Sequence, residues 1–415
     1  MELKRVVVTG FGAITPIGNN AQEYWENLVK GVSGAAPITL FDSTNFKTKF
    51  ACEVKNFNPL DHFEKKEAKK MDRNTQLGVV AAREAVSHSR IIEDQVDKNR
   101  VGVIWGSGIG GLETFETEVL GWAKSEGIPR FNPFFIPKMI ADITPGHVSM
   151  EYGFHGPNYT TVSACASSTN ALIDAKMLLQ LGKADVIVCG GSEAAVTASG
   201  MGGFNSMMAL STRNDDYKTA SRPFDKDRDG FVLGEGAGCI ILEEYEHAKK
   251  RGATIYAELA GGGLSADAYH MTAPHPEGLG AYLVMKNCLE DAGVTPDEVD
   301  HINMHGTSTP LGDIAESNAI VKLLGEHAFD IQINSTKSMT GHLLGAAGVI
   351  EAIAALGTIL HGIVPPTINH FTDDENIDSR LDFTFNNAVK KDVKIAMSNT
   401  FGFGGHNACV LFKKL

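Results

Sequence analysis

The sequence predicts an α/β fold, in which buried strands and helices alternate along the chain. Helical stretches separate short apolar runs, and the 44 glycines cluster where those runs end. This alternation is typical of α/β proteins, whose functional residues lie on loops at strand ends. The runs predicted as strands are KRVVVTGFG, RVGVIWGSG, NYTTVSAC, ADVIVCGGSE, GCIILEEY, IYAELAGGG, DHINMHGTS, IQINSTKS, VKIAMSNTFGFGG and ACVLFKKL.

Two helices have recognisable start signals. The first extends from Asn20 to Lys30, with the Asn20 side chain as its N-cap and Gly31 as its stop. The second follows Asp72 and continues through QLGVVAAREAV. The apolar face of the first helix is predicted to contain Trp25, Leu28 and Val29.

Two closely packed halves, residues 1–250 and 251–415, are expected because no Pro- or Ser-rich linker divides the chain. The stretch EEYEHAKKRGATIYAEL is predicted to begin as a helix that leads from one half into the other. Each half contains a strand that ends in a small polar turn and enters a helix, as TTVSACASSTNALIDA and QINSTKSMTGHLLGAAGVIEA. This similarity suggests an internal duplication.

Composition narrows the functional classes. Of 415 residues, 43% are hydrophobic and 21% charged, and the formal net charge is −13, which disfavours a nucleic-acid-binding surface. No apolar run is expected to span a bilayer, and no membrane partner is expected. The six cysteines form no CxxC pair, which favours free thiols in a reducing, cytoplasmic compartment.

The segment WGSGIGG matches the GxGxxG pattern of dinucleotide-binding turns through Gly106, Gly108 and Gly111. That motif also requires a second strand ending in an acid about 20 residues later, where this chain has SEGIPRFNPFF. The glycines are therefore predicted to permit close packing.

Cys165 lies where a predicted strand gives way to a helix. A sulfur at such an elbow faces the helix N-terminus, which is expected to lower its pKa and make it nucleophilic. Cys189, Cys239 and Cys409 lie inside apolar strands and are predicted to be buried small hydrophobic residues.

His305 in NMHGTSTPLGD and His342 in STKSMTGHLLGAAG follow predicted strands, in turns of small polar residues. A single histidine in such a turn is usually structural, so their significance depends on Cys165.

VSACASSTNA, HGTSTPLGD, STKSMTGHLLGAAG and FGFGGHN, in this order and spacing, resemble the signature segments of the β-ketoacyl-acyl carrier protein synthases, most closely the synthase II type. The resemblance covers essentially the whole chain. It implies a thiolase-like fold, with two pseudo-repeated βαβαβαββ halves in a five-layered α/β/α/β/α arrangement, and a homodimer.

The resemblance also implies the chemistry. Cys165 would take an acyl chain from a carrier-protein thioester, while His305 and His342 would act on malonyl-acyl carrier protein. A decarboxylative Claisen condensation would then extend the chain by two carbons in fatty-acid biosynthesis. No cofactor is required, because the acyl carrier protein itself carries the phosphopantetheine arm.

Further roles follow from the same resemblance. Lys337 would give electrostatic support and Glu351 would orient the site, although a surface ion pair is the alternative for both. The backbone N–H groups of Cys165 and Phe403 would form the oxyanion hole. The remaining assignments are Thr307 and Thr309 for the phosphopantetheine arm, and Ile109, Phe134 and Phe403 for the acyl pocket, with Phe403 as a gate.

Thr307 and Thr309 could instead cap the turn, and Phe134 could be an ordinary core aromatic. Some relatives hold Na+ or K+ at positions that match Asn303, Glu351, Ser398 and Asn399. Two residues depart from the usual pattern without an assigned role, His406 in GGHN and Asn74 in MDRNTQ.

An acidic carrier protein is expected to bind a basic surface, and the segment FEKKEAKKMDR contains a cluster of basic residues on a predicted helix. The resemblance places carrier docking there, and a solvated helix face is the alternative. The residues concerned are Lys65, Lys66, Lys69, Lys70 and Arg73.

Other functions stay open at this point. Within the family, the chain could serve a specialised polyketide or aryl-polyene pathway. From other classes, it could be a zinc hydrolase with Cys165, His305 and His342 as ligands, or a non-catalytic carrier-protein-binding module. Cys165 argues against a chain-length factor, and the absence of a cysteine in FGFGGHN argues against a degradative thiolase.

Overall fold

All ten runs predicted as strands form one sheet in the computed structural model, which describes residues 3–415. Short two-residue strands pair in two small additional sheets within this part of the chain. The strands are β1 (Val6–Ile14), β2 (Ala36–Pro37), β3 (Phe50–Ala51), β4 (Val101–Gly106), β5 (Asn158–Thr161), β6 (Val186–Glu193), β7 (Gly236–Glu244), β8 (Ala257–Ala266), β9 (His301–Asn303), β10 (Gln332–Asn334), β11 (Ile363–Val364), β12 (Val389–Lys390), β13 (Ile395–Gly402) and β14 (His406–Lys413).

The main sheet consists of two copies of one five-stranded pattern. Its order is β10-β9-β13-β14-β8-β1-β7-β6-β4-β5, and β1 pairs with β8 where the copies meet. In the first copy β1, β7 and β6 pair antiparallel, whereas β4 pairs in parallel with β6 and β5. β8, β14, β13, β9 and β10 repeat these directions in the second copy. The repetition supports the internal duplication suggested by the sequence.

Thirteen α-helices lie in the same described part of the chain. They are α1 (Ala21–Val29), α2 (Lys65–Ala68), α3 (Arg73–Ser89), α4 (Leu112–Ala123), α5 (Phe135–Met139), α6 (Ile143–Tyr152), α7 (Ser167–Gln180), α8 (Ala198–Ser206), α9 (Tyr245–Lys250), α10 (Leu279–Ala292), α11 (Pro310–Leu324), α12 (Lys337–Thr340) and α13 (Ala347–His361).

The helices and the two half-sheets stack in five layers, as the thiolase-like fold requires. α7 and α13 pack together and contact strands of both half-sheets. α3 and α6 cover the outer face of the first half-sheet, and α10 and α11 lie on the outer side of the second. The central helices therefore bring their N-termini, one from each half, into the middle of the molecule.

One stretch, Leu344–His361, is long and apolar enough to cross a membrane by length and composition, contrary to the sequence expectation. It contains α13, and 89% of the stretch is buried inside the protein. Its apolarity is explained by its place in the central layer.

The helix start signals are confirmed, and one face is corrected. Asn20 and Asp72 accept backbone N–H bonds at the first turns of α1 and α3. The buried face of α1 consists of Ala21, Tyr24 and Leu28, whereas Trp25 and Val29 are only partly buried. The chain passes from the first copy of the repeat to the second through α9, and the division after residue 250 stays a prediction.

Candidate active site

A cavity of about 540 Å³ lies where the two halves meet. Cys165 and Ile109 line it from the first half, and His305 and His342 line it from the second. It is mainly apolar, with a few polar groups converging on the sulfur, as is usual for a small-molecule site.

Cys165 lies in the short 3-10 turn Ala164–Ala166 that leads directly into α7. Ala164 has a left-handed backbone (φ +52°), which is uncommon for a residue with a side chain and marks a strained elbow. Leu344 has φ +46° before α13, so Gly345 holds in the second half the position of Cys165 in the first. The elbow predicted from the sequence is present in both copies.

The prediction of a lowered thiol pKa is wrong for the resting site. Burial raises the pKa of Cys165 to about 12, and the Glu193 carboxylate adds to this, while the Lys337 charge and the Phe403 backbone N–H oppose it. The helix N-terminus is present, but Cys165 is only 7% exposed. Cys165 is therefore a thiol before substrate binds.

The two predicted histidines stand beside this thiol. His342 Nε2 is 2.9 Å from Cys165 Sγ, and the His305 and His342 rings are 5.3 Å apart and nearly perpendicular. Burial holds both histidine pKa values well below 6.5, and the Lys337 charge lowers them further. Both imidazoles are therefore neutral at physiological pH.

Lys337 and Glu351 form a buried ion pair between α12 and α13, which excludes the surface-pair alternative. Burial raises the pKa of Glu351 to about 7, although Lys337 opposes that shift. One carboxylate oxygen meets the Lys337 ammonium, and Glu351 Oε2 has no hydrogen-bond partner in the described residues.

Phe403 lines the cavity from the turn between β13 and β14. The backbone there passes very close to the elbow: a Cβ on Gly402 would lie 2.7 Å from the Ser163 carbonyl oxygen and 3.0 Å from the Cys165 nitrogen. Only glycine permits this approach, which directs the Phe403 N–H towards Cys165.

Thr307, Thr309 and Ile109 line the same cavity. The two threonine hydroxyls are 3.0 Å apart, and Thr309 occupies the N-cap position of α11 without a capping side-chain bond. Phe134 lies outside the cavity, at the start of α5, and is 41% exposed. Its place in the acyl pocket stays a prediction.

Two buried acids on α11 were missed from the sequence. Glu316 accepts the backbone N–H groups of His305 at 2.9 Å and Gly306 at 3.0 Å, and burial raises its pKa to about 7. Asp313 accepts the Phe224 N–H at 2.9 Å and lies 3.4 Å from the buried Arg228. Their three-residue spacing, which places two acids on one face of a helix, was the available signal.

The glycine-rich loop packs closely, as predicted. A Cβ on Gly106 would clash with the Ser168 backbone, and one on Gly111 would clash with the Lys138 carbonyl. The backbone N–H groups of Gly108, Ile109 and Gly110 bind the buried Glu193 carboxylate. These donors therefore hold an internal anion, where a dinucleotide site would hold a pyrophosphate.

Four buried oxygens lack hydrogen-bond partners in the described residues at the predicted cation position. Neutral oxygens and a carboxylate suit Na+ or K+, so the donor set fits such a group. The oxygens are Asn303 Oδ1, Glu351 Oε2, Ser398 Oγ and Asn399 Oδ1. Within residues 3–415, no three His, Cys, Asp or Glu side chains are arranged to hold a metal ion, so the geometry gives no support to zinc ligation by Cys165, His305 and His342.

The basic segment divides into exposed and paired residues. Lys65, Lys66 and Lys69 are exposed on and beside α2, and Lys70 pairs with Glu67 at 2.8 Å. Arg73 points inward instead and bonds to the fully buried Glu235 at 2.5 Å. Including Arg73 in the docking surface was therefore wrong.

The two unassigned departures lie near the site. Asn74 is buried, and its amide is 3.4 Å from the Ser107 hydroxyl at the start of the glycine-rich loop. His406 is exposed at the start of β14, where its ring lies against Gly404 in the Phe403 turn.

The chain belongs to the β-ketoacyl synthase family. The family's N-terminal domain model matches residues 3–248, and its C-terminal domain model matches residues 256–371. Together with a cysteine nucleophile candidate and two histidines in one cavity, this makes the protein an acyltransferase of the condensing-enzyme class.

Relatives agree over the full length. A Staphylococcus aureus (strain COL) protein named 3-oxoacyl-acyl-carrier-protein synthase 2 is 49% identical over 411 residues, covering 99% of this chain and 98% of that protein. One of the same name from Synechocystis sp. (strain ATCC 27184 / PCC 6803 / Kazusa) is 48% identical, with 100% and 99% coverage. A solved complex of a type II PKS acyl carrier protein with its ketosynthase, bound to the hexaketide, superposes with TM-score 0.92 at 33% identity, covering 100% of both chains.

Proposed function

We propose that this protein condenses an acyl group held on Cys165 with malonyl-acyl carrier protein. The products are 3-oxoacyl-acyl carrier protein, CO2 and free carrier protein, and the reaction elongates fatty-acid chains in the cytoplasm. The observation that carries the proposal is the 2.9 Å contact between Cys165 Sγ and His342 Nε2, with the His305 ring beside them.

The first half-reaction transfers the acyl group to Cys165. The sulfur attacks the thioester carbonyl of the acyl carrier protein, and the S–H bond breaks as the new C–S bond forms. His342 Nε2 is 2.9 Å from the sulfur and carries the proton to the departing pantetheine thiolate. The backbone N–H groups of Cys165 and Phe403 stabilise the oxyanion of the tetrahedral intermediate.

The second half-reaction removes CO2 from malonyl-acyl carrier protein. The bond to the carboxylate breaks, and its electron pair becomes a thioester enolate. His305 and His342 are neutral, so each imidazole offers one N–H to the enolate oxygen when its proton is on the nitrogen facing the cavity. The nearby Lys337 charge favours the same negative charge.

Condensation completes the cycle. The enolate carbon attacks the Cys165 thioester carbonyl, a C–C bond forms and the C–S bond to Cys165 breaks. The Cys165 thiolate takes up one proton, which its raised pKa favours. The product leaves on the second carrier protein, two carbons longer than the acyl group that entered.

Fatty-acid elongation is favoured over a specialised polyketide pathway because the relatives near 49% identity bear the name 3-oxoacyl-acyl-carrier-protein synthase 2. The superposed ketosynthase complex with a polyketide carrier protein is 33% identical. Product chain lengths from a purified elongation assay will separate these two pathways.

Cys165→Ala and His305→Ala variants test the chemistry. Wild type incubated with acyl-carrier protein should gain the acyl mass on the peptide containing Cys165. Cys165→Ala should lose condensation but still release CO2 from malonyl-acyl carrier protein, whereas His305→Ala should lose about 100-fold or more of that release. Acylation of another cysteine, or normal decarboxylation by His305→Ala, would contradict the proposal.

The exposed lysines Lys65, Lys66 and Lys69, with Lys70 beside them, are proposed to dock the carrier protein. A partner of this kind is supported by the superposed complex, in which a carrier protein binds a ketosynthase. The lysines form a local basic surface on a protein of net charge −13, so an acidic carrier would be directed to this surface.

A monovalent cation is proposed at Asn303, Glu351, Ser398 and Asn399, whose orphaned oxygens support it. Bound there, Na+ or K+ would neutralise the Glu351 oxygen that Lys337 does not reach. The midpoint of thermal unfolding should then be higher in KCl or NaCl than in choline chloride at equal ionic strength. Equal midpoints would refute the cation.

A homodimer is proposed through the free edge of the main sheet. β5 is the terminal strand of that sheet, and the exposed Val162 follows it. The neighbouring segment from α4 to α5 also exposes large apolar side chains, which solvent-facing surfaces rarely group. These are Phe115, Leu120, Trp122, Ile128, Phe131, Phe134, Ile136 and Ile140.

A further inference from the structure

Glu193 is a fully buried carboxylate at the end of β6 that the chemistry above does not use. Its donors are the backbone N–H groups of Gly108 at 2.7 Å, Gly345 at 3.0 Å, Ile109 at 3.2 Å and Gly110 at 3.3 Å. The Ser107 hydroxyl lies 3.4 Å away and completes the set. Burial raises the pKa of Glu193, whereas the four backbone groups, which can only donate, oppose that shift and favour the ionised carboxylate.

This carboxylate joins segments from both halves of the protein. Residues 107–110 follow β4, and among them Ile109 lines the cavity. Gly345 belongs to the second half and follows the strained Leu344, three residues after His342. Glu193 therefore ties the rim of the cavity to the turn that leads away from the histidine.

The fit leaves no room for other side chains. A Cβ on Gly108 would lie 2.8 Å from Glu193 Oε2, and one on Gly345 would lie 2.7 Å from the same atom. Gly345 holds the place that Cys165 holds in the first half, so the carboxylate lies where the two equivalent elbows meet. A shift of either segment would move Ile109 relative to His342.

We propose that Glu193 is a positioning residue that holds the Ile109 rim of the cavity against the His342 turn and thereby determines which acyl chains reach Cys165. The acyl part of this proposal rests on the function proposed above. Glu193 also lies close to the Cys165 elbow, since a Cβ on Gly108 would lie 2.8 Å from Glu193 Oε2 and 3.3 Å from the Ala164 carbonyl oxygen. In its ionised form the carboxylate therefore favours the protonated Cys165 thiol.

Two substitutions separate the geometry from the charge. Glu193→Gln removes the charge and turns an amide NH2 towards backbone N–H donors. Glu193→Asp keeps the charge but is one methylene too short to reach both segments. Glu84→Gln is the matched control, since Glu84 also accepts two backbone N–H groups, from Ala13 at 2.8 Å and Ala21 at 2.9 Å, away from the cavity.

The first measurement is the rate of Cys165 acylation by carrier proteins bearing a short or a long saturated chain. Both Glu193 variants should load the preferred chain at least roughly tenfold more slowly. They should also bring the two chain-length rates closer together, while Glu84→Gln keeps the wild-type ratio. A wild-type ratio in both Glu193 variants, or the same change in Glu84→Gln, would overturn the positioning role.

The second measurement, alkylation of Cys165 by iodoacetamide, needs no natural substrate. Removing a negative charge near a thiol lowers its pKa, so Glu193→Gln should be alkylated at lower pH than wild type, and Glu193→Asp should follow wild type. Coincident profiles for all three would refute the action of Glu193 on the thiol. If wild-type Cys165 accepts no acyl group, the proposed function fails. The alkylation profiles then still test the effect of the Glu193 charge on the Cys165 thiol.

Folding is checked by circular dichroism before either measurement. Both variants are expected to fold, because the donors of Glu193 belong to loops at the cavity and not to the sheet. Failure of both to fold would overturn the proposal, since Glu193 would then be required for the fold as a whole.

Discussion

Cys165 is a thiol in the resting site, because burial raises its pKa to about 12. The thiolate is the species that iodoacetamide attacks, so the alkylation rate of Cys165 should rise about tenfold per pH unit between pH 7 and pH 10, without a plateau. The rate is measured by mass spectrometry of the Cys165 peptide, with Cys165→Ala as the blank. A plateau near pH 7 would reveal a stabilised thiolate and contradict this assignment.

The histidines predict a different pH dependence for CO2 release. Their pKa values lie well below 6.5, so lowering the pH from 8 to 6 leaves both imidazoles neutral. Decarboxylation of malonyl-acyl carrier protein by Cys165→Ala should therefore lose no rate to histidine protonation over this range. Glu316 and Glu351 have pKa values raised to about 7, so a change of rate near pH 7 is assigned to them. A loss of rate with a midpoint near 6.5 that persists when Glu351→Gln is added to Cys165→Ala would contradict the assignment of buried, neutral histidines.

Lys337 and Glu351 make a prediction about stability. Lys337→Met leaves the Glu351 carboxylate buried without its partner, which should lower the free energy of unfolding by about 3–5 kcal/mol at pH 8. The folded-state pKa of Glu351 is raised to about 7 even with Lys337 present, and the variant should raise it further. A folded state that binds an extra proton loses stability as pH rises, so the loss should be smaller at pH 5.

Denaturant unfolding at both pH values measures this loss. The double variant Lys337→Met with Glu351→Gln should recover much of the stability, since it buries no charge, but it should not recover activity. A loss that is equal at pH 5 and pH 8 would contradict the assignment of the pair as buried and charged.

At the scale of elements, the sequence predicts the strands better than it predicts which side chains pair with each other. Most of the ten runs were identifiable because buried strands are continuous apolar segments, whereas β5 is polar and at least partly exposed. The burial of Glu193 and Arg73 was not identifiable, because each is paired with groups far away in sequence. The raised Cys165 pKa has the same origin, since desolvation depends on the whole fold around the elbow.

α2 and its flank predict how the carrier protein binds. Lys70 is already paired with Glu67, so charge reversal at the unpaired lysines tests docking more directly. The variant is therefore Lys65→Glu with Lys69→Glu. The double variant should raise KM for acyl carrier protein about tenfold, with the effect shrinking in high salt, and should spare small thioester substrates. Steady-state kinetics on both substrate classes measures the difference.

The matched control is Lys183→Glu with Lys250→Glu, two exposed lysines that pair with no acid among residues 3–415. This control changes the net charge by the same amount as the α2 double variant, but away from α2. Equal losses in both double variants would show a general effect of charge, and equal losses on both substrate classes would show that α2 is not the dock.

At the scale of the whole molecule, duplication explains how one chain builds the site. Each half supplies a strand, a strained elbow and a central helix, and the two elbows contact each other. The first elbow presents Cys165, whereas the second has Gly345 and places His342 just before it. Divergence of two equal halves thus placed one thiol and two imidazoles around a shared cavity.

The same architecture leaves the edge of the main sheet at β5 unpaired. A strand edge flanked by exposed aromatic residues is covered in a stable protein, and pairing β5 with its copy in a second chain would cover it. Light scattering should therefore give twice the 44.5 kDa of one chain.

The double variant Val162→Asp with Trp122→Glu should shift this mass towards that of one chain, because it places charges in the proposed contact. The control variant Leu181→Asp changes an exposed leucine just after α7 and should remain dimeric. If Phe134 completes the partner's acyl pocket, the monomeric variant should also lose long-chain acylation of Cys165 while its alkylation by iodoacetamide is retained. A dimer that survives both charges would exclude this edge as the interface.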